Sequence, residues 1–156
     1  MKTDTALGMW PAIWTLGISM PWPSNGEIDI MEYYRVKGVA TILANAAWAD
    51  EGLYNAKWDE AKFPFPEFLK KDPEWPSKSH LWRMEWTDES IKLFLDDELL
   101  NEIDLVRTVN PEGSNPFQQP HYIFLNLAIG SNGRDPSGAL FPKEDVVDYA
   151  RVYQKK

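Results

Sequence analysis

Glu27, Asp29 and Glu32 stand inside the run Glu27-Ile28-Asp29-Ile30-Met31-Glu32, an otherwise apolar, largely β-branched stretch. Paired carboxyl groups are the equipment for cutting a glycosidic bond: one attacks the sugar carbon while the other, protonated, donates to the departing oxygen. Strand side chains alternate faces, so Glu27 and Asp29 share one face and Ile28 and Ile30 take the other. Glu32 is out of step. A regular strand would bury it among the isoleucines, where an unpaired carboxylate is costly or gives up its charge. One extra residue at Met31, a β-bulge, returns Glu32 to the face of Glu27 and Asp29. Crowded, partly desolvated carboxyls then separate in pKa, which lets an acid and a base coexist at one pH. The same alternation also suits a solvated acidic face or a calcium site, because hard cations take oxygen ligands.

The elements that must position these groups are short. Apolar runs separated by turn residues recur along the chain at intervals typical of an all-β, antiparallel domain. In 122–130, Ile123, Leu125, Leu127 and Ile129 form one face and Tyr122, Phe124, Asn126 and Ala128 the other, which turns Asn126 away from the aliphatic side. Ile91, Leu93 and Leu95, then Asp96-Asp97, then Leu99 to Ile103 predict a hairpin with an acidic turn. Val146 to Gln154 alternates in the same way and predicts a further strand. Between Trp48 and Ser79, Pro64, Pro66, Pro73 and Pro76 predict a long ordered loop anchored by aromatic residues, with one or two helical turns over 66–71. No repeat or low-complexity tract divides the chain, and residues 1–156 are expected to form one domain.

Composition narrows the partners. A net charge of -8 and a pI near 4.7 argue against nucleic acid, whose binding draws on lysine and arginine. The absence of cysteine excludes disulfides and thiolate metal sites, and two histidines leave few ligands for zinc. No stretch approaches the length of a membrane span, and Met1-Lys2-Thr3-Asp4-Thr5 lacks the apolar core of a signal peptide.

Gly8-Met9-Trp10-Pro11-Ala12-Ile13-Trp14 followed by Gly26-Glu27-Ile28-Asp29-Ile30-Met31-Glu32 resembles glycoside hydrolase family 16, the laminarinase, lichenase, agarase and carrageenase group. His80 to Trp86, Ile91 to Leu100, Leu125 to Gly130 and Val147 to Tyr153 resemble later strands of that family, in its order. The resemblance implies an antiparallel β-sandwich of the concanavalin A-like jelly-roll type. It also implies Glu27 as nucleophile, Glu32 as general acid/base and Asp29 as the assisting residue, in a retaining, endo-acting mechanism. The bulged spacing is similar to the laminarinase branch. A β-linked polysaccharide, either a β-1,3-glucan or a galactan, is the implied partner, and an extracellular or periplasmic monomer the implied state. No cofactor is implied for catalysis; Asp148 matches a contributor to a structural calcium site in relatives. The resemblance begins partway through the family domain, so the chain is expected to be its C-terminal portion, incomplete at the N-terminus.

Eight tryptophans suit a sugar cleft, where flat rings cover the apolar faces of pyranoses. Trp10 and Trp14, in the family's W-P-x-x-W segment, are assigned to the cleft. Trp48 either borders it or anchors a loop, while Trp58, Trp75 and Trp86 read as packing residues. Asn45 and Asn126 join the substrate-binding set. His80 matches the family histidine beside the carboxylates, whereas a lone histidine is otherwise a structural hydrogen-bonder. Arg35 reaches either a sugar or a surface carboxylate. A non-catalytic carbohydrate-binding sandwich would share the fold and the tryptophans, but needs no Glu27 and Glu32 pair.

Overall fold

Strand alternation is satisfied by antiparallel pairing throughout two sheets. The computed structural model describes residues 1–52 and 54–154. Strands β1 (Met9–Gly17), β2 (Glu27–Val36), β3 (Val39–Ala49), β4 (Ala56–Pro64) and β8 (His121–Ile129) form the larger sheet, in the order β4-β3-β2-β1-β8. Strands β5 (Trp82–Trp86), β6 (Ser90–Leu95) and β7 (Glu98–Asp104) form the smaller. Two-residue turns join β2 to β3 at Lys37-Gly38 (φ 49° and 86°) and β6 to β7 at Asp96-Asp97 (φ 47° and 67°). Positive φ at both central residues matches the right-handed twist of the flanking strands, and the second turn is the predicted acidic hairpin.

The sheets meet through their apolar faces. Ile28, Ile30, Ala44, Ala46 and Trp48 of the larger sheet pack with Ile91, Leu93 and Ile103 of the smaller, closed by Leu105 and Phe117. A second cluster joins Met31, Tyr33 and Ile42 to Leu95 and to Phe65 and Trp75. The protein is therefore an antiparallel β-sandwich.

The bulge is present. On β3, Asn45 faces Asp29 and Leu43 faces Glu32, two residues apart against three on β2; on β1, Trp14 faces Asp29 and Ile13 faces Met31. The surplus residue lets both Ile30 and Met31 enter the core while Glu32 turns outward with Glu27 and Asp29.

Two expectations are corrected. Residues 48–79 are not a long loop: they contain β4, the helix α1 (Phe65–Lys71) and a 3₁₀ turn at Trp75–Ser77. β4 escapes sequence reading because it is an edge strand with polar residues on both faces, so its alternation is not one of hydrophobicity. Residues 146–154 form no strand; a single bridge ties Val146 to Lys2. A strand requires a neighbour's ladder, and Val152 and Tyr153 are exposed instead. Among the described residues nothing pairs with the outer edge of β8, whose inward side chains Ile123, Leu125 and Ile129 are 52, 45 and 56% exposed.

Candidate active site

Strand register aligns the chemistry-bearing residues in rows across the outer face of the larger sheet. One row runs Trp58, Ala47, Glu27, Leu16, and the next Glu60, Asn45, Asp29, Trp14, Phe124. The third runs Lys62, Leu43, Glu32, Ala12, Asn126. Gly26 makes the entry to β2 feasible: at φ 76°, a Cβ there would lie 2.8 Å from Cβ of Pro116, so only glycine delivers Glu27 to the start of the strand.

Two indoles hold two of the carboxylates. Nε1 of Trp10 donates to Oε1 of Glu32 at 2.7 Å, and Nε1 of Trp22 donates to Oε2 of Glu27 at 2.8 Å. Asp29 lies between them, hydrogen-bonded to Glu27 and accepting from Nδ2 of Asn45 at 3.4 Å.

Burial and crowding set the protons. Asp29 is 3% exposed, and burial, followed by the charges of Glu32 and Glu27, pushes its carboxyl well above the usual carboxylate range. Burial also raises Glu27, against the opposing hydrogen bonds from Trp22 and Asp29. Glu32 is pushed up to about 7, chiefly by burial; the Trp10 hydrogen bond opposes this, while the charges of Glu27 and Glu60 add to it. A carboxyl poised there is protonated enough near neutrality to act as an acid and acidic enough to release the proton. The Tyr34 hydroxyl, pushed up to about 12 by burial and the same carboxylates, stays protonated.

Glu27, Glu32, Asn45 and Trp10 line a cleft of about 330 Å³. It is completed by Trp22, Tyr34, Trp58, Glu60 and Asn132, none of which the sequence assigns to the site. Trp22 and Trp58 approach each other at 6.4 Å between ring centroids and are half-exposed, a surface suited to a sugar face. A hollow of about 430 Å³ near the N-terminus, lined by Lys2, Thr5, Pro76 and Pro142 among others, contains none of these carboxylates.

Trp14 and Asn126 are on the same outer face, one strand further across: Nε1 of Trp14 donates to Oδ1 of Asn126 at 2.6 Å and its ring stacks on Phe124. Four other expected site residues lie elsewhere. Trp48 has the parity of Ala44 and Ala46, is 5% exposed and packs in the core against Phe117. Arg35 has the parity of buried Tyr33, opposite to Glu32 and Tyr34. His80 precedes β5, stacks on Trp75 at 3.7 Å, and places its ring nitrogens 2.6 Å from Oδ2 of Asp96 and 2.8 Å from the Trp75 carbonyl oxygen. It pins α1 and the 3₁₀ turn to the β6–β7 hairpin. Asp148 is exposed, close enough to the N-terminal ammonium to act on its charge. Among the described residues no group of three or more His, Cys, Asp or Glu side chains is placed to hold a metal ion.

Residues 1–43 match the XgeA-like catalytic GH16 domain. The chain is 34% identical over 172 residues to a beta-glucanase of Rhodothermus marinus, covering 98% of this chain and 54% of that protein. It is 30% identical to glucan endo-1,3-beta-glucosidase A1 of Niallia circulans, covering 99% of this chain and 23% of that one. The LamAcat structure from Zobellia galactanivorans superposes with a TM-score of 0.63 and 29% identity, over 84% of this chain and 53% of that one. Thus the chain spans about half the length of the Rhodothermus relative. The two-sheet antiparallel sandwich is similar to the fold already seen in the LamAcat structure. Together these matches support a member of glycoside hydrolase family 16.

Proposed function

We propose that the protein is a retaining endo-glycosidase acting on a β-linked glucan, with Glu27 as nucleophile and Glu32 as general acid/base. The observation that carries this reading is the environment of Glu32, a carboxyl pushed up to about 7 on the same cleft face as Glu27. Glu27 attacks the anomeric carbon as Glu32 passes its proton to the leaving oxygen, giving a glycosyl ester on Glu27 and a shortened chain. Glu32, now ionised, takes a proton from water, whose oxygen displaces Glu27 and restores both groups. Asp29 steadies Glu27 through their shared hydrogen bond. Trp22 and Trp58 supply apolar faces for the sugar; Asn132 and Tyr34 supply hydrogen-bonding groups.

The glucanase names of the Rhodothermus and Niallia relatives support a β-glucan over other polymers. A polymer of that size is met outside the cell or in the periplasm, where we place the protein. Sizing the products that the full-length protein releases from laminarin, mixed-linkage glucan and agarose tests the reading. Internal cuts in a β-glucan are expected, and abolished by Glu27→Gln with oligosaccharide binding retained. Activity confined to an α-glucan, or full turnover by Glu27→Gln, would overturn it.

A further inference from the structure

We infer that Glu60, carried into the cleft by the edge strand β4, is a positioning residue that keeps the proton on Glu32, with Lys62 as its counterweight. The inference rests on the acid role given to Glu32 above and extends it to a strand that contributes neither nucleophile nor acid. Register places Glu60 in the row of Asn45 and Asp29, and Lys62 in the row of Leu43 and Glu32. Both side chains are therefore on the face that carries the carboxylates, and Glu60 lines the same cleft as Glu32. Nζ of Lys62 is 2.7 Å from Oε1 of Glu60, with both side chains about 40% exposed.

The groups that surround Glu32 define what Glu60 adds. Its own strand presents Glu27, Asp29 and Tyr34; β1 presents the Trp10 indole and no titratable group; β3 presents Leu43 and Asn45. From β4 come Glu60 and Lys62, and from the 3₁₀ turn at Ser131–Gly133 comes Asn132. The Trp10 hydrogen bond favours the ionised form of Glu32, and Glu27 must itself be ionised to attack. Glu60 supplies negative charge that costs no reacting group, and it acts on both Glu32 and the Tyr34 hydroxyl. Like charge near a carboxyl holds its proton, and a partly water-exposed source does so with reduced strength. Lys62 divides that charge between the cleft and its own ammonium. Because β4 is an edge strand with polar residues on both faces, the pair can be altered without opening the core.

The test is a carbon-detected NMR titration of the Glu32 side-chain carboxyl in the chain itself, which requires no turnover and so stands apart from the hydrolase reading. Glu60→Gln is expected to lower the Glu32 midpoint by about half a pH unit or more, Lys62→Gln to raise it, and Glu60→Asp to restore most of the shift. In the full-length enzyme the basic limb of kcat/KM would move in the same directions. A Glu32 midpoint unchanged in Glu60→Gln would overturn the inference. So would shifts of the same sign from Glu60→Gln and Lys62→Gln, since these would report a displaced strand rather than charge.

Discussion

The indole of Trp10 and the carboxylate of Glu32 are joined by a 2.7 Å hydrogen bond between neighbouring strands, which fixes one Glu32 oxygen and draws its pKa down against burial. Trp10→Phe keeps an aromatic ring but removes the donor. Glu32 should then titrate higher and lose its fixed orientation, shifting the basic limb of kcat/KM upward. A hydrogen bond to a charged group is worth about 1.5–3 kcal/mol, so a fall in kcat of roughly tenfold to a hundredfold is expected. Steady-state kinetics of Trp10→Phe across pH would measure both effects.

Activity should fall above about pH 7, where Glu32 surrenders its proton, and fall on the acid side as Glu27 becomes protonated. Glu32→Gln should remove the basic limb together with most turnover on unactivated substrate. A sugar carrying a good leaving group would still form the glycosyl ester. A burst followed by stalled deglycosylation in rapid-mixing experiments is the expected signature.

Folding stability should carry the opposite mark of the same residue. The Glu32 pKa is raised from 4.5 to about 7 in the fold, so its contribution is fully present below about pH 4.5 and is lost as pH rises through about 7. Gln has no charge to bury. Glu32→Gln should therefore gain on the wild type as pH rises, by roughly 2–3 kcal/mol at pH 8 compared with pH 4, read from urea unfolding at the two values.

His121 is a half-buried base whose neutral form the fold favours. Its Nε2 donates to the Pro116 carbonyl oxygen at 3.0 Å, its Nδ1 lies 2.9 Å from Oγ1 of Thr15, and burial pushes its pKa below 6.5. A base depressed in the fold contributes stability above its unfolded pKa and loses it as pH falls through the folded value. Wild type should lose stability relative to His121→Gln as pH falls below 6.5, and thermal melts of the pair would isolate this from the carboxylates.

The bare edge of β8 should make the chain associate. Among the described residues, Ile123, Leu125 and Ile129 present apolar side chains beside backbone groups that no strand pairs, a ready template for another strand. Leu125→Lys is expected to reduce light scattering at high protein concentration with little change in melting temperature, because that side chain is 45% exposed.

What the sequence disclosed, it disclosed through conflict or period. Glu32 fell out of phase with Asp29, and only a bulge reconciled the two, so both the strand and its irregularity were legible. Asn126 was readable because 122–129 alternates without interruption. Trp22, Trp58 and Glu60 were not, since each reaches the cleft through long-range register or a loop, and β4 carries no apolar stripe to announce it. Trp48 and Arg35 show the reverse error: residue type suggested the cleft, but strand parity sent both to the other face. His80 was matched by neighbourhood in sequence, whereas His80 and its partner Asp96 both flank strands of the smaller sheet, apart from the larger sheet that carries the carboxylates.

The bulge on β2 also has a genetic meaning. Losing one codon inside an ordinary strand inverts every later side chain, sending core residues to water. Here the surplus residue is absorbed between Asp29 and Glu32, and beyond it Tyr33 already faces Ile42 and Tyr34 faces Thr41 in regular register. A one-codon deletion at Ile30 or Met31 would straighten the strand yet leave Glu32 on the face of Glu27 and Tyr33 in the core, at the cost of one buried side chain. The spacing of the carboxylates is thus open to inherited change by a whole residue, while the rest of the sheet keeps its frame.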